Sequence, residues 1–227
     1  KVVRFGDSSF YAWPQLRWSF CHTEELVPTK NVWRGSGACR DLAYKLQPFS
    51  GNTIETLSGE QLTWDQAIAE SYTDGLMIMH GGKVVFEEYF GACTEHTRHL
   101  IQSANKSIIG MLAESLIFEK KLNAEALVPT IIPELGGTAY GDATIQQVLD
   151  MLISMDFKED YLDPNSEIYR FHRATGMAPS TDNKNFELVA DVLPNVKKAS
   201  LHGETFAYRE PNIFVLGWIV RRVGGAD

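Results

Sequence analysis

The chain has 227 residues, 44% of them hydrophobic and 22% charged, which is ordinary for a globular domain and argues against disorder or a coiled coil. Its 21 basic and 29 acidic side chains leave a net charge of −8, which argues against nucleic acid as a partner. No apolar run reaches the ~18 residues that a membrane span requires.

The N-terminal quarter, residues 1–62, is rich in Trp, Pro, Gly and Ser and has no sustained period. We interpret it as an irregular wrap of the same domain that residues 63–227 form. Thr63 and Gln66 have the spacing of a capping box, in which a hydroxyl and an amide three residues apart satisfy the first backbone groups of a helix. They predict a short helix through Tyr72.

Two apolar segments, 76–80 and 83–90, are separated by Gly81 and Gly82. Because glycine tolerates the positive φ of primed turns, this pattern predicts a tight β-hairpin. A lone hairpin is marginal in water and needs further strands or a packed helix. The sheet therefore looks incomplete, and we expect part of the domain to be missing from this chain.

The remaining pattern is mostly helical. Ser103 is predicted to open a helix, and a second capping box begins at Thr144. Residues 156–185 are polar and irregular, which is typical of a lid or binding loop, and a last helix runs from about Pro211 to Val223. The first of these helices carries one apolar stripe at spacings of three and four, made of Ile108, Met111, Leu112, Ser115 and Leu116.

Ser103 and Lys106 form a Ser-x-x-Lys pattern, which places both side chains on one helix face. A serine hydroxyl needs a base to become a nucleophile, and an amine serves if its pKa is depressed. The positive end of the helix dipole would provide that depression. The alternative interpretation is a capping serine beside a surface lysine.

Several short motifs together resemble the serine hydrolases of the β-lactamase or penicillin-binding type, closest to the 6-aminohexanoate-dimer (nylon-oligomer) hydrolase branch. The resemblance covers residue 15 to the end and implies an α/β sandwich: an antiparallel sheet flanked by helices, with its C-terminal strands missing here. Besides Ser-x-x-Lys, the motifs lie at 17–20, 31–35, 72–75, 89–91, 140–144, 203–208 and 216–219.

The resemblance also implies roles. Ser103 matches the nucleophile, Lys106 the base, and Tyr208 a tyrosine that relays protons between them and the leaving group. Tyr161 matches a loop tyrosine that closes over the amide nitrogen of the substrate. Taken alone, Tyr208 could equally be a core tyrosine and Tyr161 a loop aromatic that packs for its own sake.

One departure concerns Glu210, which stands where many relatives carry Asn in a Tyr-x-Asn motif. It either adds a negative charge to the pocket, which would disfavour a β-lactam carboxylate, or points to solvent. In the family, a third motif and the second oxyanion-hole donor lie beyond residue 227. We therefore do not expect full activity without a complementary C-terminal segment.

The sequence thus predicts a serine hydrolase that cleaves a small amide or ester, such as a 6-aminohexanoate oligomer or a short-chain ester, through an acyl-enzyme on Ser103. No metal or organic cofactor is implied. The alternatives are a D-Ala-D-Ala peptidase or β-lactamase-like enzyme, and a catalytically inactive binding relative. Natural substrate, compartment and oligomeric state stay open.

Overall fold

The computed structural model describes residues 3–163, 165–179 and 187–225. Within them the chain forms two compact units, one mainly from residues 9–100 and the other mainly from residues 101–225. The division between residues 62 and 63 inferred from composition stays a prediction.

The first unit is built around a small sheet. Strand order is β1-β5-β4, with β4 antiparallel and β1 parallel to β5, while β2 and β3 form a separate antiparallel pair. The predicted hairpin is confirmed, and Gly81 and Gly82 take φ values of 56° and 75° at its turn. The segment predicted to be irregular instead contains one short helix and three short strands. The elements are α1 (Leu16–Ser19), β1 (Ala43–Tyr44), β2 (Thr53–Glu55), β3 (Gln61–Thr63), α2 (Trp64–Glu70), β4 (Gly75–His80) and β5 (Lys83–Tyr89).

Both predicted capping boxes are present. The Gln66 amide N–H donates to the Thr63 hydroxyl at 3.2 Å, and the Thr63 N–H donates to the Gln66 side chain at 2.9 Å. The same reciprocal pair joins Thr144 and Gln147, at 3.0 and 3.1 Å. Each box satisfies backbone donors that have no partner within the helix, so each fixes where its helix begins.

The second unit is mostly helical and holds the larger core. Two short strands pair antiparallel, and α7 packs against both α3 and α4. Across the described residues, no helix combines the length and apolarity that a bilayer crossing requires. The elements are α3 (Asn105–Phe118), α4 (Ile145–Leu149), β6 (Met155–Asp156), α5 (Glu167–Ala174), α6 (Val189–Val192), β7 (Lys197–Lys198) and α7 (Glu210–Gly224).

The predicted loop 156–185 is not irregular throughout, because α5 lies within it. Ile168, Phe171 and Ala174 are buried at a helical spacing of three. The Phe171 ring meets the rings of Phe157 and Phe214 edge-on, at centroid distances of 6.0 and 5.0 Å. Burying such side chains contributes roughly 1.5–3 kcal/mol each, which favours this helix despite its polar composition. Residues 164 and 180–185 of the predicted loop lie outside the described residues.

The apolar stripe predicted on α3 is only partly buried, because Leu116 is the one apolar member that packs against the core. Ile108, Met111 and Leu112 are 44%, 66% and 47% exposed. The face that packs on the core instead carries the fully buried Ala113, with the partly buried Ile109, Leu116 and Ile117. Helix α3 is apolar on two sides, so its own sequence did not determine which side would meet α7.

Two glycines in α3 and α7 offer a test of local helix stability. A Cβ added at Gly110 or Gly217 would meet no atom within 4 Å. Since glycine costs a helix interior about 1 kcal/mol relative to alanine, Gly110→Ala should raise the free energy of unfolding by about that amount in urea titrations. Gly141→Ala is the contrasting control, because its Cβ would collide with the carbonyl oxygen of Gly136, and it should destabilise.

Candidate active site

Ser103 lies in a tight turn, Gln102–Ala104, that leads directly into α3. Gln102 has a φ of 44°, in the left-handed region that side chains rarely occupy. Such backbone strain costs of order 1–3 kcal/mol and is concentrated at functional sites. Ser103 does not cap α3, since the N-cap is Ala104 and no side chain caps it. The capping-serine alternative is therefore wrong.

Lys106 stands in the first turn of α3, three residues after Ser103. Its ammonium Nζ donates to the Ser103 hydroxyl at 3.0 Å. The two predicted residues thus meet as their spacing suggested. The Lys106 side chain is only 15% exposed, which contradicts the alternative of a solvated surface lysine.

Tyr208 reaches the same point from 105 residues away along the chain. Its hydroxyl donates to the Ser103 hydroxyl oxygen at 2.7 Å. The Lys106 ammonium also lies 5.0 Å from the centre of the Tyr208 ring, within the range of a cation–π contact. A hydroxymethyl, an amine and a phenol therefore converge in the second unit.

Glu210, the first residue of α7, points into this cluster and not to solvent. Its side chain is 6% exposed, and its Oε1 accepts a hydrogen bond from Lys106 Nζ at 2.5 Å. The same oxygen lies 3.5 Å from the Tyr208 hydroxyl. The departure from the family pattern therefore places a buried carboxylate beside the lysine.

This carboxylate reverses the expected charge state of the lysine. Burial lowers the pKa of Lys106, but the hydrogen bond to Glu210 and the interaction with Tyr208 outweigh it, so the pKa lies above its ordinary value. The prediction that the helix dipole depresses this pKa is wrong. The dipole acts as about half a charge, whereas Glu210 supplies a full charge in contact with the amine.

Tyr161 is linked to the cluster indirectly. Its hydroxyl donates to Glu159 Oε1 at 2.7 Å, and Glu159 Oε2 accepts the backbone N–H of Glu210 at 2.9 Å. Burial, followed by the Glu159 hydrogen bond, raises the pKa of Tyr161, so the phenol stays protonated. Half of the Tyr161 side chain is exposed, which leaves it accessible to a bound molecule.

Two residues of this region were not predicted. Glu159 connects the Tyr161 loop to the start of α7, as described above. The ring of His172 on α5 lies 6.0 Å from that of Tyr161 in a tilted arrangement, and the pKa of His172 is lowered, chiefly by burial. Neither has a local sequence signal, because both depend on α5 folding back toward α7.

A buried, hydrogen-bonded pair of side chains holds the start of α7 in place. Asn212 and Tyr140 are both fully buried, and the Tyr140 hydroxyl donates to the Asn212 side-chain oxygen at 3.0 Å. Asn212 is the second residue after Glu210, so this bond holds the segment that carries Glu210 and Tyr208. A buried hydroxyl left without a partner would cost about 1–3 kcal/mol in stability, so the fold strongly favours the paired arrangement.

A cavity of about 280 Å³ opens beside Lys106, between α3, α4 and α7. The side chains of α3 that face the cavity are small, so the space between the helices stays unfilled. The walls of the cavity are mostly apolar. It has the size of a pocket for a small group next to the reactive cluster. The lining includes Ser107, Gly110, Val148, Leu149, Met151 and Leu216.

Comparison with known proteins identifies the family. A family model described as Beta-lactamase matches residues 64–227. The chain belongs to the beta-lactamase family. The resemblance inferred from the motifs and the predicted fold class are therefore confirmed.

Two relatives share the name of one branch of the beta-lactamase family. A "6-aminohexanoate-dimer hydrolase" of Paenarthrobacter ureafaciens is 33% identical over 223 residues, 97% of this chain and 55% of the relative. A solved structure, "Putative 6-aminohexanoate-dimer hydrolase from Bacillus anthracis", is 26% identical with a TM-score of 0.83. That match covers 95% of this chain and 57% of the solved one. The chain thus spans about half the length of these relatives.

Proposed function

We propose that this chain carries the nucleophile-bearing part of a serine hydrolase that cleaves a small amide or ester through an acyl-enzyme on Ser103. The observation that supports this most is the double contact of the Ser103 hydroxyl, with Lys106 at 3.0 Å and Tyr208 at 2.7 Å. A hydroxyl held between an amine and a phenol has both a proton acceptor and a proton donor within reach, as nucleophilic catalysis requires.

In this mechanism the Ser103 oxygen attacks the acyl carbon while its proton leaves toward Lys106. Because Lys106 is charged in the resting site, it accepts that proton only as it releases one of its own. The Tyr208 hydroxyl donates to the departing nitrogen or oxygen, and water then hydrolyses the acyl-enzyme. The Tyr161 side chain is half exposed, so its hydroxyl would contact the amide of a bound substrate.

For the substrate we propose a linear 6-aminohexanoate oligomer or a short-chain ester. The names of the two relatives support the first, and the small, mostly apolar cavity beside Lys106 suits a short aliphatic chain. The alternative, a D-Ala-D-Ala peptidase or β-lactamase-like enzyme, is less favoured. Its substrates carry a carboxylate next to the scissile amide, where the buried charge of Glu210 would disfavour it, whereas five methylene groups separate the carboxylate of an aminohexanoate oligomer from the amide nitrogen.

We also propose that full activity requires a complementary C-terminal segment. The relatives are nearly twice as long as this chain, and α3 exposes Ile108, Met111 and Leu112 on the face opposite its core contacts. Strands that cover this face would also bring the second oxyanion-hole donor. Loss of one such donor costs ~10²–10³ in rate.

The test is covalent labelling by a fluorophosphonate probe, applied to this chain and to the chain extended by the family's remaining strands. We expect labelling of the extended protein and of its Ser115→Ala control, which removes an exposed hydroxyl of α3 outside the cavity, and none of Ser103→Ala. Labelling that survives in Ser103→Ala, or no labelling of the extended protein at all, would overturn the proposal and favour a binding relative. Rates on an aminohexanoate dimer, p-nitrophenyl butyrate and a chromogenic cephalosporin then distinguish the substrate classes.

A further inference from the structure

Four side chains of the site form a closed ring of polar contacts. Ser103 Oγ lies 3.0 Å from Lys106 Nζ, which lies 2.5 Å from Glu210 Oε1. The same Glu210 oxygen lies 3.5 Å from the Tyr208 hydroxyl, which returns to Ser103 Oγ at 2.7 Å. Each contact joins two groups that exchange protons, so the ring provides a continuous route around the nucleophile.

The carboxylate in this ring is not explained by stability. Glu210 and Lys106 have side chains that are 6% and 15% exposed, so both charges are largely removed from water. Replacing a buried ion pair by neutral groups is often neutral or stabilising. A neutral amide at position 210 could still accept a hydrogen bond from Lys106. The carboxylate adds two things that an amide lacks: a negative charge beside the ammonium and the capacity to take up a proton.

We propose that Glu210 closes a proton circuit, in which the proton of Ser103 passes through Lys106, Glu210 and Tyr208 to the leaving group. The inference rests on the proposed hydrolase function and goes beyond it by assigning a role to Glu210. Glu210 acts through Lys106 and Tyr208 and is a positioning residue for the transferred protons.

The steps balance in protons and bonds. As the bond from Ser103 Oγ to the acyl carbon forms, the serine proton moves to Lys106 and a lysine proton moves to Glu210. As the bond from carbon to the leaving atom breaks, Tyr208 gives its proton to that atom and takes the proton held by Glu210. Lys106 stays charged throughout, Glu210 returns to its charged form, and the net change is one proton moved from serine to leaving group.

Deacylation follows the same route in the opposite direction. Water takes the place of the leaving group and gives a proton to Tyr208 as its oxygen attacks the acyl carbon. That proton passes through Glu210 and Lys106 and arrives at the Ser103 oxygen as the acyl group departs. The free serine is regenerated with no proton gained or lost by the ring.

The circuit makes a distinctive prediction about leaving groups. A strongly basic leaving group, such as an alkylamine or an alkoxide, must receive a proton as it departs, whereas p-nitrophenolate departs without one. If Glu210 supplies that proton by way of Tyr208, then Glu210→Gln should slow an amide or alkyl ester by ~10² or more. The p-nitrophenyl ester of the same acyl group should slow less than about tenfold, because it needs only the transfer of the serine proton to Lys106, which without the carboxylate can accept that proton as a neutral amine.

The experiment measures kcat/KM for a series of esters and amides of one acyl group, in the extended protein. The kcat/KM of wild type should depend weakly on leaving-group basicity. The kcat/KM of both Glu210→Gln and Glu210→Asn should depend on it steeply. Glu114→Gln, an exposed carboxylate of α3, is the matched control and should behave as wild type. Circular dichroism and thermal melting show whether the variants are folded.

Two outcomes would overturn the circuit while leaving the hydrolase intact. One is an equal loss for all leaving groups in the Glu210 variants, which would indicate only a structural role for the carboxylate. The other is a steep dependence of kcat/KM on leaving-group basicity in wild type itself. That result does not depend on whether any variant folds. A wild-type protein without labelling of Ser103 would instead overturn the proposed function, and the circuit with it.

Discussion

Lys106→Ala should abolish labelling of Ser103 and also lower the free energy of unfolding by about 3 kcal/mol. The activity is lost because the serine proton has no acceptor at 3.0 Å. The stability is lost because Glu210, 6% exposed, would remain as a buried carboxylate without its cation. Removing one partner of a buried pair typically costs ~3–5 kcal/mol.

This loss of stability in Lys106→Ala is the opposite of what the sequence alone predicts. A lysine in the first turn of a helix contributes nothing favourable to the dipole, so the sequence alone predicts little change in stability on its removal. The measurement is urea denaturation of wild type, Lys106→Ala and the double variant with Glu210→Gln. The double variant should recover at least half of the loss because no buried charge remains. An unchanged midpoint in Lys106→Ala would contradict the ion pair.

Features that depend on near neighbours were predictable from the sequence. The two capping boxes require side chains three residues apart, and the hairpin requires glycine at the turn, so all three are as predicted. In the site, Ser103 and Lys106 meet for the same reason. One helical turn joins them, whatever the rest of the chain does.

Features that depend on distant parts of the chain were predicted poorly or only through family resemblance. The place of Tyr208, 105 residues beyond Ser103, has no local signal. The stripe predicted on α3 is buried only at Leu116, because two sides of the helix are apolar and only the approach of α7 selects one. The helix α5 is stabilised by buried Phe171, whose aromatic partners lie outside that helix.

The charge state of Lys106 shows why a motif alone does not determine a mechanism. The sequence indicated an amine at the positive end of a helix, and therefore a depressed pKa. The structure adds Glu210, two residues after Tyr208 and 104 residues after Lys106, and the pKa rises instead. A single contact between opposite charges in a partly buried site outweighs the distributed field of the helix.

Tyr208→Phe should slow both acylation and deacylation by ~10²–10⁴, the usual range for loss of a proton-transfer group. In the proposed circuit, the Tyr208 phenol donates a proton to the leaving group during acylation and accepts one from water during deacylation. Removal of its hydroxyl should therefore affect both steps in pre-steady-state measurements with an amide substrate. The fold should change little, because the lost hydrogen bond contributes only about 0.5–1.5 kcal/mol and Tyr208 is 37% exposed.

A matched control for this variant is Tyr44→Phe, which removes an exposed hydroxyl that donates to Glu87 in the first unit. It should leave both rates unchanged. If Tyr208→Phe slowed acylation alone, water would reach the acyl-enzyme by a route that does not involve the phenol, and the reversed circuit would fail. If neither rate changed, Tyr208 would be only a packing residue, and the contact of 2.7 Å with Ser103 would have no chemical role.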